Sequence, residues 1–284
     1  MENPVRIAGV PEHFNLPWHL ALEEGAFSRR GIELIWTDVP EGTGKMAGML
    51  DSGQTDLAVI LTEGIIKAVS SGTPALIVQE YIATPLLWGI HVAGSSPYME
   101  ESDLKGRTAA ISRYGSGSHL MAFVHAMEKG WPLKALDFEV VNTLEGAVQG
   151  LSSGRAAYFM WEKFTTQPLV DRGVFRRIGV CPTPWPCFVI ASTRSFADKY
   201  PGVLKDILET INVFTREFKQ IPSIDRTLAN RYHQEVNAVR EWLSLTRWSQ
   251  YQIESKQIEN VISVLSDLKL VSKKVTAREL LWIP

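Results

Sequence analysis

From Val5 to Tyr81, short apolar runs of strand character alternate with segments of helical period, and the alternation starts again at Asp103. Residues 5–9, 32–37, 56–61 and 75–81 read as strands. Between them, Leu16-Pro17-Trp18 opens a helix with Trp18, Ala21, Leu22 and Gly25 on one face, a second helix aligns Met46, Met49 and Leu50, and a third covers 63–70. Pro17 suits a first helical turn, whose N–H groups have no intrahelical partner. The second series runs through a strand at 107–112, a helix aligning Leu120, Phe123, Val124 and Met127, and a strand at 156–161. Strands separated by helices predict mostly parallel sheets layered with helices, an α/β fold. The two series share an echo: Leu50-Asp51-Ser52-Gly53 stands before one buried strand and Leu151-Ser152-Ser153-Gly154 before the other, each a helix ended by glycine. A further strand is expected at 188–191. Beyond it the pattern is helical, with Val203, Ile207, Leu208, Ile211 and Phe214 on one stripe and a last helix around 258–268.

With no low-complexity tract or long linker, a second lobe is expected at 91–186, inserted into a first lobe made of 1–90 and 187–284. The chain then leaves the first lobe near Trp88-Gly89 and returns near Pro186, and two crossing strands make a hinge. Among the 284 residues, 29 basic and 31 acidic side chains are interspersed, which gives no footprint for nucleic acid or an acidic membrane. Apolar runs such as 57–61 fall far short of the roughly 20 residues that span a bilayer, so no direct membrane insertion is expected. The first residues show no charged leader, apolar stretch or cleavage site. The expectation is a cytoplasmic monomer as the sequence stands, or a periplasmic one if an export signal has been removed. Two cysteines, Cys181 and Cys187, build no disulfide framework and read as buried small hydrophobes. No His/Cys/Asp cluster has metal-ligand spacing, and no Ser-His-Asp arrangement stands out, so neither cofactor, metal nor catalytic residue is assigned.

The most specific local element is Ser112-Arg113-Tyr114-Gly115-Ser116-Gly117-Ser118, a polar, glycine-spaced turn running into a helix. Free backbone N–H groups and the positive dipole end there favour an anionic or strongly accepting group. The hydroxyls of Ser116 and Ser118 add donors and Tyr114 a ring to stack on; the competing reading is a plain helix cap at Ser118. Glu41-Gly42-Thr43-Gly44-Lys45 lacks the spacing of a phosphate loop and has Met46 where a metal-binding hydroxyl belongs, which argues against nucleotide hydrolysis. Trp161 and Trp185, with Trp88, stand at strand ends where flat rings suit a planar or apolar ligand body. Glu63 and Glu162 are the acidic candidates, each able to take an amine or ring N–H or else to cap the helix that follows it. His13, in a loop, is a candidate hydrogen-bond partner.

Leu20 to Gly25 with Phe27 and Gly31-Ile32, Leu50-x-Ser-Gly-x-x-Asp56, Gly72-x-Pro74 and Asp103-Leu104-Lys105-Gly106 follow one another in an order and spacing that covers nearly the whole chain. In these motifs the sequence resembles the periplasmic-binding-protein type 2 family, in the branch of the nitrate, taurine and alkanesulfonate binding components of ABC importers and of thiamine-pyrimidine synthase. The resemblance implies two lobes, each a mixed, mostly parallel sheet flanked by helices, joined by a two-strand hinge. It also implies a small-molecule ligand in the interlobe cleft, held by loops at the carboxyl ends of strands. On this chain those loops carry His13, Asn15 and Trp18; Thr43; Thr62 and Glu63; Ser112, Tyr114, Ser116, Gly117 and Ser118; and Trp161 and Glu162, with Trp185 at the return. Each follows a predicted strand, where open α/β sheets present their crevice.

Enzymes share the resemblance. Thiamine-pyrimidine synthase is recognised by a cysteine-rich stretch at the return to the first lobe, whereas here Cys181-Pro182-Thr183-Pro184-Trp185-Pro186-Cys187 keeps two cysteines among three prolines. Menaquinone-pathway enzymes, chorismate dehydratase and the naphthoate-synthase-like proteins, match in length. A pocket and a hinge are more visible than a positioned acid or base, so the expected function is a solute-binding protein of the ABC-importer type for a small anionic or heterocyclic ligand. An ABC permease is its possible partner, and a cytoplasmic enzyme on the same fold is the alternative.

Overall fold

The computed structural model describes residues 3–271 and 275–283. The chain divides into two compact units, one formed by residues 1–84 and 185–284 and the other by 85–184. The first unit opens with β1 (Val5–Gly9), α1 (Leu16–Glu23), β2 (Leu34–Asp38), α2 (Thr43–Asp51), β3 (Leu57–Leu61), α3 (Thr62–Ser70) and β4 (Ala75–Ile82). The second contains β5 (Leu87–Ala93), β6 (Ala109–Ile111), α4 (Gly117–Glu128), β7 (Phe138–Val140), α5 (Leu144–Ser152), β8 (Tyr158–Glu162), α6 (Gln167–Asp171) and β9 (Phe175–Pro182). The chain then completes the first unit with β10 (Phe188–Thr193), α7 (Arg194–Lys199), α8 (Pro201–Glu217), α9 (Ile224–Tyr232), α10 (Val236–Leu245), α11 (Ser255–Asp267) and α12 (Ala277–Leu280).

Each unit holds one five-stranded sheet, and the two sheets follow one plan. The orders are β2-β1-β3-β10-β4 and β7-β6-β8-β5-β9. Three strands at one side run parallel, and the fourth, β10 or β5, lies antiparallel to both its neighbours. The central strands β3 and β10 are buried almost throughout, which explains their apolar runs LAVIL and FVIA rather than an alternating pattern. In the second unit Ala147 and Leu151 of α5 pack with Ala110, Phe159 and Phe175 of the sheet.

The sequence echo falls at equivalent places. Leu50–Gly53 ends α2 ahead of β3, and Leu151–Gly154 ends α5 ahead of β8, with Gly53 and Gly154 both left-handed at φ 68° and 73°. The chain then bonds to the neighbouring strand in the same way, Asp56 N–H to the Arg6 carbonyl at 3.0 Å and Ala157 N–H to the Thr108 carbonyl at 2.9 Å. In the first unit the Arg6 guanidinium also grips the Asp56 carboxylate through Nε and Nη2.

Three expectations are corrected. Helix α1 stops at Glu23, and Gly25 is not on its face, because Gly25 takes the left-handed conformation (φ 67°) that ends the helix. Trp88-Gly89 is not the crossing point: both residues pair inside β5 with Glu162 and Trp161 of β8. The connections lie instead at 84–85 and 184–185. Strands β5, β7 and β9 were not anticipated. Strand β7 has only three residues at a sheet edge, and β9 carries Arg176 and Arg177 in its middle, so neither shows an apolar signal.

A Cβ at Gly53 or Gly154 meets nothing within 4 Å, so only backbone strain opposes substitution there. Gly53→Ala and Gly154→Ala are each expected to lose about 1–2 kcal/mol in urea denaturation. An unchanged midpoint for either would show that the left-handed cap is not required.

Candidate ligand-binding site

Parallel strands deliver their following loops and helix starts to one edge of a sheet, and the candidate residues gather on these carboxyl edges. In the first unit, the loop after β1 makes one tight turn at His13–Asn15 before α1. Asn15 Nδ2 donates to the Val10 carbonyl at 2.8 Å, which fixes the amide so that its Oδ1 points elsewhere, buried and without a partner. The His13 ring stacks on Phe14 (4.8 Å) and meets Trp242 edge-on (4.2 Å). Burial holds His13 neutral by lowering its pKa to about 3. Trp18 is wholly buried, stacked on Phe27 and beside Tyr81, and stands in the core of the unit.

The starts of α2 and α3 come together. The Thr43 methyl lies so close to Gly64 that no Cβ fits there, so a glycine after Thr62-Glu63 is what lets the two helix starts approach. Thr62 is tied to the return segment, its hydroxyl donating to the Pro186 carbonyl at 2.6 Å and its N–H to the Cys187 carbonyl at 3.1 Å. The Trp185 indole N–H donates to Glu63 Oε2 at 2.9 Å. Glu63 is 4% exposed, and its Oε1 has no hydrogen-bond partner. Burial pushes this carboxyl up to about 7 from an ordinary 4.5, against the pull of nearby donors.

In the second unit the Ser112–Ser118 turn is knitted to itself. Ser118 Oγ accepts the Ser112 N–H at 2.9 Å and lies 3.0 Å from Ser116 Oγ. Ser116 is the N-cap of α4 and accepts the His119 N–H, while the Gly115 N–H donates to His119 Nδ1 at 3.0 Å. Ser118 is therefore not the cap; Ser116 is. The N–H groups of Gly117 and Ser118 are the first of a twelve-residue helix and have no turn behind them to accept them. Tyr114 is 66% exposed at the tip, edge-on to His119. Glu162 turns back on its own chain: the Thr165 N–H donates to Oε2, and burial raises the carboxyl despite the N–H groups of Thr165 and Phe164. Trp161 is half-buried, stacked on Phe159 at 5.3 Å and against the α5 core.

The structure thus brings Thr43, Thr62, Glu63 and Trp185 together in one unit and Ser112, Ser116, Gly117 and Ser118 in the other. Three contributors went unnoticed in the sequence. Trp242 and Tyr232, from α10 and α9, crowd His13, and their indole N–H and hydroxyl are also buried without partners; the 3.6-residue period of those helices marks only their apolar stripe. Asn142 holds a left-handed φ of 62° and donates its N–H to the Ser112 carbonyl, bracing the turn from the end of β7. An asparagine directly after a strand was the available signal. Cys181 and Cys187 are both buried and free, and burial beside Glu128 raises the Cys181 thiol far from a reactive thiolate. Among the described residues no three His, Cys, Asp or Glu side chains cluster to hold a metal ion.

Two mixed sheets with helix starts at their carboxyl edges define the periplasmic-binding-protein fold, and comparison with known proteins agrees. Residues 88–181, essentially the second unit, match the family of Ca3427-like PBP. The Candida albicans CA3427 gene product, described as exhibiting the generic periplasmic binding protein fold, superposes with a TM-score of 0.89 at 21% identity, over 99% of this chain and 96% of that one. The alkanesulfonate-binding protein SsuA from Xanthomonas axonopodis pv. citri, bound to MOPS, gives 0.83 at 16% identity, over 98% of each chain. The nitrate-binding protein NrtA from Synechocystis PCC 6803 gives 0.69 at 14% identity, over 94% of this chain and 82% of that one. No curated protein matches the chain by sequence.

The raised Glu63 carboxyl links stability to pH. Folded Glu63 keeps its proton to about pH 7, whereas an unfolded glutamate releases it near 4.5, so its contribution is intact below 4.5 and is lost as pH rises through 7. Glu63→Gln has no proton to lose and keeps an acceptor for Trp185. Relative to the parent it is expected to gain on the order of 3 kcal/mol between about pH 4 and pH 8 in urea titrations. Parallel stability curves would show that the carboxyl is not held protonated.

Proposed function

We propose that this chain is a small-molecule binding protein of the ABC-importer solute-binding type, taking a small anionic or heterocyclic ligand at the loops on the carboxyl edges of its sheets, with an ABC permease as partner. The carrying observation is the start of α4. A glycine-spaced turn is held open by Ser118, Ser116 and Asn142 so that the Gly117 and Ser118 N–H groups head a twelve-residue helix. Such a start offers two directed donors and a positive dipole end to an accepting group, with no acidic side chain in its first turn to compete. The shared fold supports the reading, since solved structures of this fold include proteins described as binding alkanesulfonates and nitrate.

Isothermal titration of the purified chain with sulfonates, nitrate and pyrimidines is expected to find saturable binding for at least one of them. Ser116→Ala removes the cap that sets this helix start and should weaken that binding about tenfold, the worth of one hydrogen bond to a polar ligand group. Binding indifferent to Ser116 would move the site elsewhere. Turnover of chorismate or a futalosine derivative would replace the binder by an enzyme.

A further inference from the structure

The two carboxyl edges differ in what they offer a ligand. At α4 the helix start has hydroxyls and N–H groups; at α3 the first turn carries the chain's own carboxylate, Glu63. Above about pH 7, where Glu63 ionises, an anion favoured by the α3 dipole is therefore already present as part of the protein, and a second anion there meets like charge in a site with little water to screen it. What the α3 start can do is accept hydrogen bonds. Of the Glu63 oxygens, Oε2 is engaged by the Trp185 indole, while Oε1 is buried with no partner. The loop after β1, the parallel neighbour of β3, adds a second unpartnered acceptor: Asn15 Oδ1, whose orientation is set by the bond from Nδ2 to Val10. A buried acceptor left unmet is costly, and a donor on a ligand removes that cost.

Resting on the reading of the chain as a solute binder, we propose that the first unit recognises the N–H side of its ligand, an amine or a ring or exocyclic N–H, through Glu63 Oε1 with Asn15 Oδ1, and disfavours an oxyanion at that place. Glu162, the matching acid of the second unit, does not share this role, because its carboxylate is taken by the N–H of Thr165 in its own turn. Burial, which raises the affinity of Glu63 for a proton, raises its affinity for a hydrogen-bond donor in the same way.

The test pairs probes that differ in the amino group, 4-aminopyrimidine against pyrimidine, with nitrate and methanesulfonate as pure acceptors, titrated into the full chain at a pH above about 7, where Glu63 is ionised. The parent protein is expected to bind the amino probe at least tenfold more tightly than pyrimidine. In Glu63→Gln the side-chain carbonyl takes the Trp185 N–H and turns an NH2 group toward the ligand, so the preference for the amino probe should fall tenfold or more. Glu145→Gln makes the same change at the exposed acid that opens α5, so it should retain the preference and separates recognition by Glu63 from the loss of one negative charge. Equal affinity for the amino probe and pyrimidine, or a preference untouched by Glu63→Gln, overturns the assignment while leaving a binder. Saturable binding of no probe by any of the three proteins overturns the binder reading and the assignment with it.

Discussion

Strand β10 enters the first sheet after the whole second unit has been traversed, and it runs antiparallel between β3 and β4, pairing with both along Phe188–Thr193. Without it β4 has no neighbour, and the first unit is three parallel strands with an open edge. Strand β5 has the same place in the second sheet, between β8 and β9. This reversal lays the outgoing and returning segments side by side. Leu86 and Thr183 exchange hydrogen bonds in the second unit, and the Cys187 N–H donates to the Thr84 carbonyl in the first. The same return segment presents Pro186 and Cys187 to Thr62 and Trp185 to Glu63. The chemistry of the α3 start is thus a consequence of where the chain comes back.

Much of the scaffold was legible because its signals are local. Helices α2 and α5 end at glycines the backbone needs, β3 and β10 are buried on both faces and read as apolar runs, and α4 begins where a polar, glycine-spaced turn follows a strand. Strands whose apolar signal is interrupted did not show: β5 holds Gly89 and His91, β9 holds two arginines. His91 is fully buried, with its Nε2 against the Thr166 hydroxyl, a pairing across 75 positions that no local pattern announces.

The site residues divide along the same line. Ser112, Ser116 and Ser118 belong to one turn, and their spacing alone implies a helix start. Thr43 meeting Gly64, or Trp185 meeting Glu63, depends on loops that only the sheet order makes neighbours. Trp18, unlike Trp185, stands in sequence on the face of a helix that follows a strand, and packing sends it against Phe27 and Tyr81 as core. Aromatic side chains carry enough apolar area to serve either purpose, and the backbone around them decides which.

Helix starts are often treated as equivalent anion sites, yet those that open on these edges differ in what their first turn holds. Helices α2 and α4 carry no acidic residue there, whereas α3 carries Glu63 and α5 carries Glu145. Glu145 is exposed, so water and salt screen it and it does little beyond steadying α5. Glu63 is buried, and once it ionises, above about pH 7, its field is little screened by water. The same residue type at the same helical position is therefore solvated in one unit and buried in the other, and the difference comes from Trp185 and the return segment packed on it rather than from the helix itself.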